Sequence, residues 1–227
     1  SDFLNGILPG SDYNFVPWIN LGPSEILVQG GADGIGQIHR LVFDPQFDNN
    51  NNKVMYAATF YGGLWKSENR GLAWHPLNTD LQLPMSSVSD IAVDYSNSQN
   101  IFICTGLGDG GVEFISNPNW GIINPISTFG VFRSINGGDT WQPINTGFIN
   151  WFQSTGVSRR MIINPQNSDQ LLIATSAGIF RTNNALAAEP IWSRTVNGLD
   201  TTDTEYRGLE YMPGNPNVIY TSGKDIY

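Results

Sequence analysis

The sequence predicts an all-β fold, and three observations carry that prediction. Turn-forming residues are abundant, with 25 Gly and 13 Pro. Aromatic residues make up 12% of the chain and charged residues only 14%. No heptads and no sustained 3.6-residue apolar period appear; the stretch most open to a helix, residues 183–189, is short. A turn-rich, aromatic-rich, charge-poor chain favours pleated, half-buried strands over helices.

Length and charge narrow the function classes. The 227 residues suffice for one large domain or two small ones. At 40% hydrophobic content the chain can bury a core, which argues against disorder. Eleven Lys and Arg stand against twenty Asp and Glu, a net charge of −9. So acidic a chain lacks the basic footprint for nucleic acid or an anionic membrane surface. No apolar stretch is long enough for a transmembrane helix, so direct membrane insertion is not expected. Cys104 is the single cysteine, so no disulfide framework or redox pair can form; in its apolar run it reads as a small buried hydrophobe. His39 and His75 leave little scope for histidine-based metal chemistry. The chain begins at Ser1 rather than Met, as expected of a processed form or an excised piece, from which any signal peptide has gone.

The elements repeat. Four segments align as first strands, A: Arg40-Leu41-Val42-Phe43-Asp44-Pro45, Asp90-Ile91-Ala92-Val93-Asp94-Tyr95, Arg160-Met161-Ile162-Ile163-Asn164-Pro165 and Arg207-Gly208-Leu209-Glu210-Tyr211-Met212-Pro213. Each leads through an Asn/Asp/Pro-rich turn into a second apolar run, B, and every B run ends in Thr: Thr59, Thr105, Thr175 and Thr221. A third run, C, follows as Gly63-Leu64-Trp65-Lys66-Ser67, Gly130-Val131-Phe132-Arg133-Ser134 and Gly178-Ile179-Phe180-Arg181-Thr182. The first two lead into polar turns that end at Trp74 and Trp141; the third turn is stretched and runs on to Trp192. Each unit is thus four short strands, A to D, and the starts at 40, 90, 160 and 207 are spaced by 50, 70 and 47 residues. That period predicts a β-propeller of four-stranded antiparallel blades. The apolar A and B runs agree, because strands without a polar face must be covered on both sides.

Blade limits follow: a lead-in at 1–37, blade 1 at 38–77, blade 2 at 88–144 with an insertion at 107–129, blade 3 at 158–195, and half of blade 4 at 205–227. About three and a half blades are a partial ring, expected to belong to a propeller of seven or eight blades, for which roughly 350 to 400 residues are needed. A closed four-blade ring, completed by strands at 13–18 and 25–29, is the other reading.

The Ser-x-Asn-x-Gly-x-x-Trp turns, Ser67, Asn69, Gly71, Trp74 and Ser134, Asn136, Gly138, Trp141, resemble the Asp-box or BNR repeat of sialidases, sortilin-type receptors and two-propeller xyloglucanases. Here Asn replaces the usual Asp. The role this implies is structural: the Ser and Asn side chains brace the turn, Gly takes the strained φ and Trp packs in the blade. The opening Trp18-Ile19-Asn20-Leu21-Gly22-Pro23, followed by Gly36-Gln37-Ile38-His39-Arg40, is similar to secreted Bacteroidetes repeat proteins that carry type IX secretion sorting domains. That resemblance implies an exported, extracellular or cell-surface protein.

Candidate chemistry lies on the face that would carry the B–C and D–A connections. Trp120 and Phe129 of the insertion, with Trp151 and Phe152 of residues 146–157, are candidates for a platform that stacks on sugar rings or holds a peptide. They serve equally well as a small core pinning two long loops. The first A-strand positions, Arg40, Asp90, Arg160 and Arg207, would cluster near the channel mouth, either as an anion-binding arginine trio or as a structural ion-pair ring. No Arg-Ile-Pro sialidase motif is present. In the xyloglucanases a catalytic Asp follows the Thr of the first strand B; here that position is Phe60, which cannot take part in a carboxylate pair. Asp109 and Glu113, in and after the glycine-rich Gly106-Leu107-Gly108-Asp109-Gly110-Gly111, are weak Ca²⁺ candidates; no other metal or cofactor is expected. The expected function is a non-catalytic secreted or cell-surface propeller acting as a binding or assembly module, with a glycan or protein partner or a larger surface assembly, and the alternative is a glycoside hydrolase with its carboxylates mostly outside this segment.

Overall fold

The computed structural model describes residues 38–48, 50–60, 62–108, 116–117, 121–122, 128–148, 157–195 and 206–223. Blade 1 is the antiparallel sheet β1 (Ile38–Phe43), β2 (Met55–Thr59), β3 (Leu64–Ser67) and β4 (His75–Pro76). A short helix α1 (Thr79–Gln82), not foreseen from the sequence, leads on to blade 2. Blade 2 has β5 (Val88–Val93) and β6 (Ile101–Thr105), then the small ribbon β7 (Ser116–Asn117) and β8 (Gly121–Ile122), then β9 (Val131–Ser134) and β10 (Gln142–Pro143). Blade 3 is β11 (Ser158–Asn164), β12 (Asn167–Thr175), β13 (Gly178–Thr182) and β14 (Ser193–Thr195). Of blade 4 the described pair is β15 (Gly208–Met212) and β16 (Asn215–Ser222). Residues 183–188 form turns rather than a helix.

The blades are partial-propeller blades that stack through their faces. Alternate residues of β5 and of β11 point at opposite neighbouring blades. From β5, Ile91 and Val93 join Tyr56, Leu64, Leu77 and Trp141 in the core between blades 1 and 2. Ala92 joins Met161, Ile163, Phe180 and Trp192 between blades 2 and 3. Ile162, Leu172 and Ile179 meet Tyr206, Leu209 and Tyr211 between blades 3 and 4. This two-sided burial is why β5 and β6 are buried along their whole length.

The Thr at the end of the B strands of blades 1 and 3 has one local job. Thr175 Oγ1 donates to Gly178 O at 2.7 Å and accepts from Ala177 N at 3.0 Å. Thr59 Oγ1 donates to Gly63 O at 2.9 Å and accepts from Gly62 N at 2.8 Å. The hydroxyl thereby closes the B–C turn, an ST-type turn.

The C–D turns are braced alike. Ser67 Oγ accepts from Gly71 N at 2.7 Å, and Asn69 Oδ1 accepts from Ala73 N at 2.8 Å. Ser134 Oγ accepts from Gly138 N at 2.9 Å, and Asn136 Oδ1 accepts from Thr140 N at 3.0 Å. Gly71 and Gly138 sit at φ +83° and +102°; at Gly138 a Cβ would also stand 2.7 Å from a Leu77 methyl of blade 1. The stretched third turn keeps the device with Thr182 and Asn184, whose Oδ1 accepts from Ile191 N at 3.0 Å. These turns touch the A–B turns, Arg70 N donating to Lys53 O and Gly137 N to Gln99 O. They therefore lie at the end of the blades opposite the B–C connections.

Candidate functional site

At the axis, the register decides which side chains meet. In blades 1, 2 and 3 the A strand shifts by one residue against its B strand, between Ile38 and Arg40, Val88 and Asp90, and Ser158 and Arg160. The extra residue re-aims the charged one after it. Arg40, Asp90 and Arg160 then pair with Ala58, Cys104 and Ala174, each one residue before the B-strand Thr. In blade 4 the residue opposite the same position, Tyr220, is Glu210. Glu210 thus takes the place that alignment gave to Arg207. Arg207 is exposed and precedes β15, its backbone N–H donating to Ser222 O at 2.7 Å.

The resulting ladder alternates in sign: Arg40, Asp90, Arg160, Glu210. Asp90 is fully buried. It accepts from Arg40 Nε at 3.0 Å, Arg160 Nη1 at 3.1 Å, Met161 N at 2.7 Å and Ile91 N at 2.9 Å. Arg160 extends the chain to Glu210 at 3.1 Å and to Leu209 O at 3.3 Å. Burial works against the Arg160 charge, but the Asp90 and Glu210 carboxylates outweigh it and hold its pKa above the ordinary value. The guanidiniums of Arg40 and Arg160 converge on Asp90 rather than on open space, so an arginine trio for an anionic ligand does not form from these residues. What forms is an ion-pair seam across four blades.

Beyond this seam a cavity of about 540 Å³ runs along the A strands toward the A–B turns. Arg160 and Glu210 line it together with Phe43, Tyr95 and Met212 and with Pro45, Pro165 and Pro213. It opens opposite the B–C face. The lining residues are spread over all four A strands, so no local motif marks it in the sequence.

The B–C face is organised by blade 2. There residues 106–129 stand where blade 3 has only Ser176-Ala177, yet Thr105 performs the same closure. Its Oγ1 donates to Gly130 O at 3.0 Å and accepts from Phe129 N at 2.9 Å. Around it Ser89, Ser158 and Thr128 form a buried hydroxyl cluster: Ser158 Oγ donates to Thr105 O at 2.9 Å, and the Ser89 and Ser158 hydroxyls lie 3.1 Å apart. Both feet of the insertion are therefore fixed to the scaffold. Phe129, at the second foot, is 53% exposed. Trp120, Trp151 and Phe152 lie outside the described residues, as do Asp109 and Glu113. Among the described residues no cluster of His, Cys, Asp and Glu could hold a metal ion.

Phe60 is buried, its ring 4.6 Å from that of His39. Cys104 is buried beside Met161, its Sγ 3.9 Å from the thioether sulfur, and burial pushes its thiol pKa well up. Neither side chain offers a reactive group to solvent. The hydroxyl cluster and Glu210 escaped the sequence reading; the small-residue run Ser86-Ser87-Val88-Ser89 was the one available signal for the former.

No protein-family model and no curated protein matches the chain. Solved structures do match it in fold. An ancestral GH74 enzyme superposes with a TM-score of 0.56 at 20% identity, over 82% of this chain and 22% of its own. The GH74 xyloglucanase from Xanthomonas campestris gives 0.56 at 16%, over 84% and 28%. The extracellular domain of a hybrid two-component system from B. thetaiotaomicron gives 0.54 at 12%, over 88% and 23%. This chain thus spans about a quarter of the length of each, and the likeness is one of propeller fold. No helix among the described residues is long and apolar enough to cross a membrane.

Proposed function

We propose that the chain is part of an extracellular, non-catalytic propeller that binds a glycan through the blade 2 insertion. One observation carries this reading: residues 106–129 replace a two-residue turn without altering the Thr105 closure. A long loop that the scaffold tolerates but does not need is where binding residues are placed. Exposed Phe129 at its foot supports a stacking platform completed by Trp120, Trp151 and Phe152. A protein partner on the same face would use the same rings. The resemblance to secreted Bacteroidetes repeat proteins extends the proposal to Asp-box blades and export by the type IX route.

The fold likeness to GH74 enzymes favours a second reading, a glycoside hydrolase with its carboxylates outside these residues. Against it stands Phe60, buried where the xyloglucanase resemblance calls for Asp. The two readings separate in one experiment on the full chain. A glycan array should show binding that Trp120→Ala with Trp151→Ala weakens at least about tenfold, as loss of central aromatic anchors does. Incubation with xyloglucan should release no reducing ends. Binding unchanged in the double variant sinks the platform, and released oligosaccharide establishes the hydrolase.

A further inference from the structure

The outer face of blade 1 repeats the two inter-blade faces that are filled. In blade 2, the Trp141 indole N–H donates to Leu77 O of blade 1 at 2.9 Å. In blade 3, the Trp192 indole donates to Ile144 O of blade 2 at 2.7 Å. The two acceptors are equivalent. Each follows the Trp of its own C–D turn by three residues, Trp74 to Leu77 and Trp141 to Ile144. Each has a buried side chain in the core it shares with the incoming indole. Each donates its own N–H to the C strand beside it, Leu77 N to Leu64 O and Ile144 N to Val131 O, both at 2.9 Å.

Trp74 is the third member of this series and lacks such an acceptor. It is only half-buried, and its indole N–H turns back onto Gly71 O of its own turn at 3.1 Å. The chain holds one more copy of the acceptor segment. Trp18-Ile19-Asn20-Leu21 matches Trp74-His75-Pro76-Leu77 and Trp141-Gln142-Pro143-Ile144, again with an aliphatic residue three after Trp. Gly22 follows Leu21 where Asn78, in the left-handed region at φ +54°, follows Leu77; glycine suits that conformation best. Separation along the chain also fits. The observed pairs are 64 and 48 residues apart, and Leu21 to Trp74 is 53. The turn before Trp18 is not a copy: Tyr13 and Phe15 stand where Asn69 and Gly71 would be.

We infer that residues 18–21, which lie outside the described residues, dock as a D strand against the outer face of blade 1. In this arrangement Leu21 O accepts the Trp74 indole N–H, and the Leu21 side chain covers the ring as Leu77 covers Trp141. The contact concerns the outer half of the face, since Leu41 and Phe43 lie nearer the axis. It makes residues 18–21 the last strand of a blade that precedes blade 1.

The test uses the full 227-residue chain. In the wild-type protein the Trp74 indole N–H, assigned by its absence in Trp74→Phe, should exchange with solvent at least about tenfold more slowly than a free indole, as a contact with its own opening free energy requires. Leu21→Asp should abolish that protection and leave Trp141 and Trp192 protected. Rapid exchange of Trp74 in the wild-type chain overturns the inference without any variant. Protection that survives Leu21→Asp overturns it too. So does protection that appears only at high protein concentration, which would assign the face to a second copy. A double-mutant cycle supplies the second measurement: Leu21→Ala should be non-additive with Trp74→Ala and additive with Trp141→Ala. Additivity with both counts against the contact.

Discussion

The A strands of blades 1 and 2 carry similar residues at the same register in opposite circumstances. Leu41 and Phe43 of β1 are 47% and 51% exposed, while Ile91 and Val93 of β5 are 2% exposed. Both pairs stand opposite equivalent B-strand residues and point toward the preceding blade. The difference lies in the neighbour: Tyr56 and Leu64 of blade 1 lie against β5, whereas the ring against Phe43 of β1 is Phe47 of its own blade. Trp74 and Trp141 repeat the contrast at the outer edge. A blade therefore specifies its own sheet and turns, but its faces are completed from outside, as in stacked repeats generally.

The predictions break or sharpen this comparison. Asp90→Ala should give the largest loss, about 5 kcal/mol, because it leaves Arg40 and Arg160 facing each other and orphans Met161 N–H. Urea unfolding measures it; a loss below about 1 kcal/mol would mean the seam does not tie the blades. Trp141→Ala, on a filled face, should cost about 4 kcal/mol. An unchanged melting curve would place that ring at the surface. Trp74→Ala is the sharpest comparison. With Leu21 docked it should cost about 3 kcal/mol; a loss under about 1 kcal/mol is the mark of a bare face. Asn136→Ala, which removes the largely exposed side-chain bonds to Thr140 N, Thr140 Oγ1 and Ser134 Oγ, should cost about 1 kcal/mol in the same unfolding assay.

The smallest effect depends on pH. Asp94 is buried and accepts from Asn100, Ser96 and Ser168. Burial pushes its pKa up, but these hydrogen bonds outweigh burial and hold it below the usual aspartate value. Its contribution is complete above the unfolded value and is lost as pH falls through the lower folded one. Asp94→Asn should therefore flatten the stability curve below about pH 4 and leave its shape at neutral pH unchanged. An acid limb identical to wild type would show that Asp94 gains nothing on folding.

The repeat made much of the fold legible. Thr59, Thr175 and the residues of the first two C–D turns act within a few positions of themselves, whereas Thr105 reaches Phe129 and Gly130 across the insertion. The axial site was less legible. Aligning Arg207 with Arg160 required hairpins of equal length, but the β15–β16 hairpin is shorter: Glu210 pairs with Tyr220, whereas Arg160 pairs with the more distant Ala174, so Glu210 takes the position. A difference of this kind depends on how strand A pairs with strand B and leaves no mark in composition. Arg40, Asp90 and Arg160 were legible as equivalent positions on successive blades; that the two arginines meet on Asp90 rather than on a ligand follows from its depth.

By itself the sequence determined the units: four-stranded blades, their order and the braced turns, because each rests on contacts close along the chain. The tertiary structure alone decided which faces are filled, which charges pair and where the cavity opens. Those outcomes join residues about 50 to 70 positions apart, such as Arg40 with Asp90 and Asp90 with Arg160. Partners at that distance are selected by the packing of one blade on the next, which no local pattern encodes.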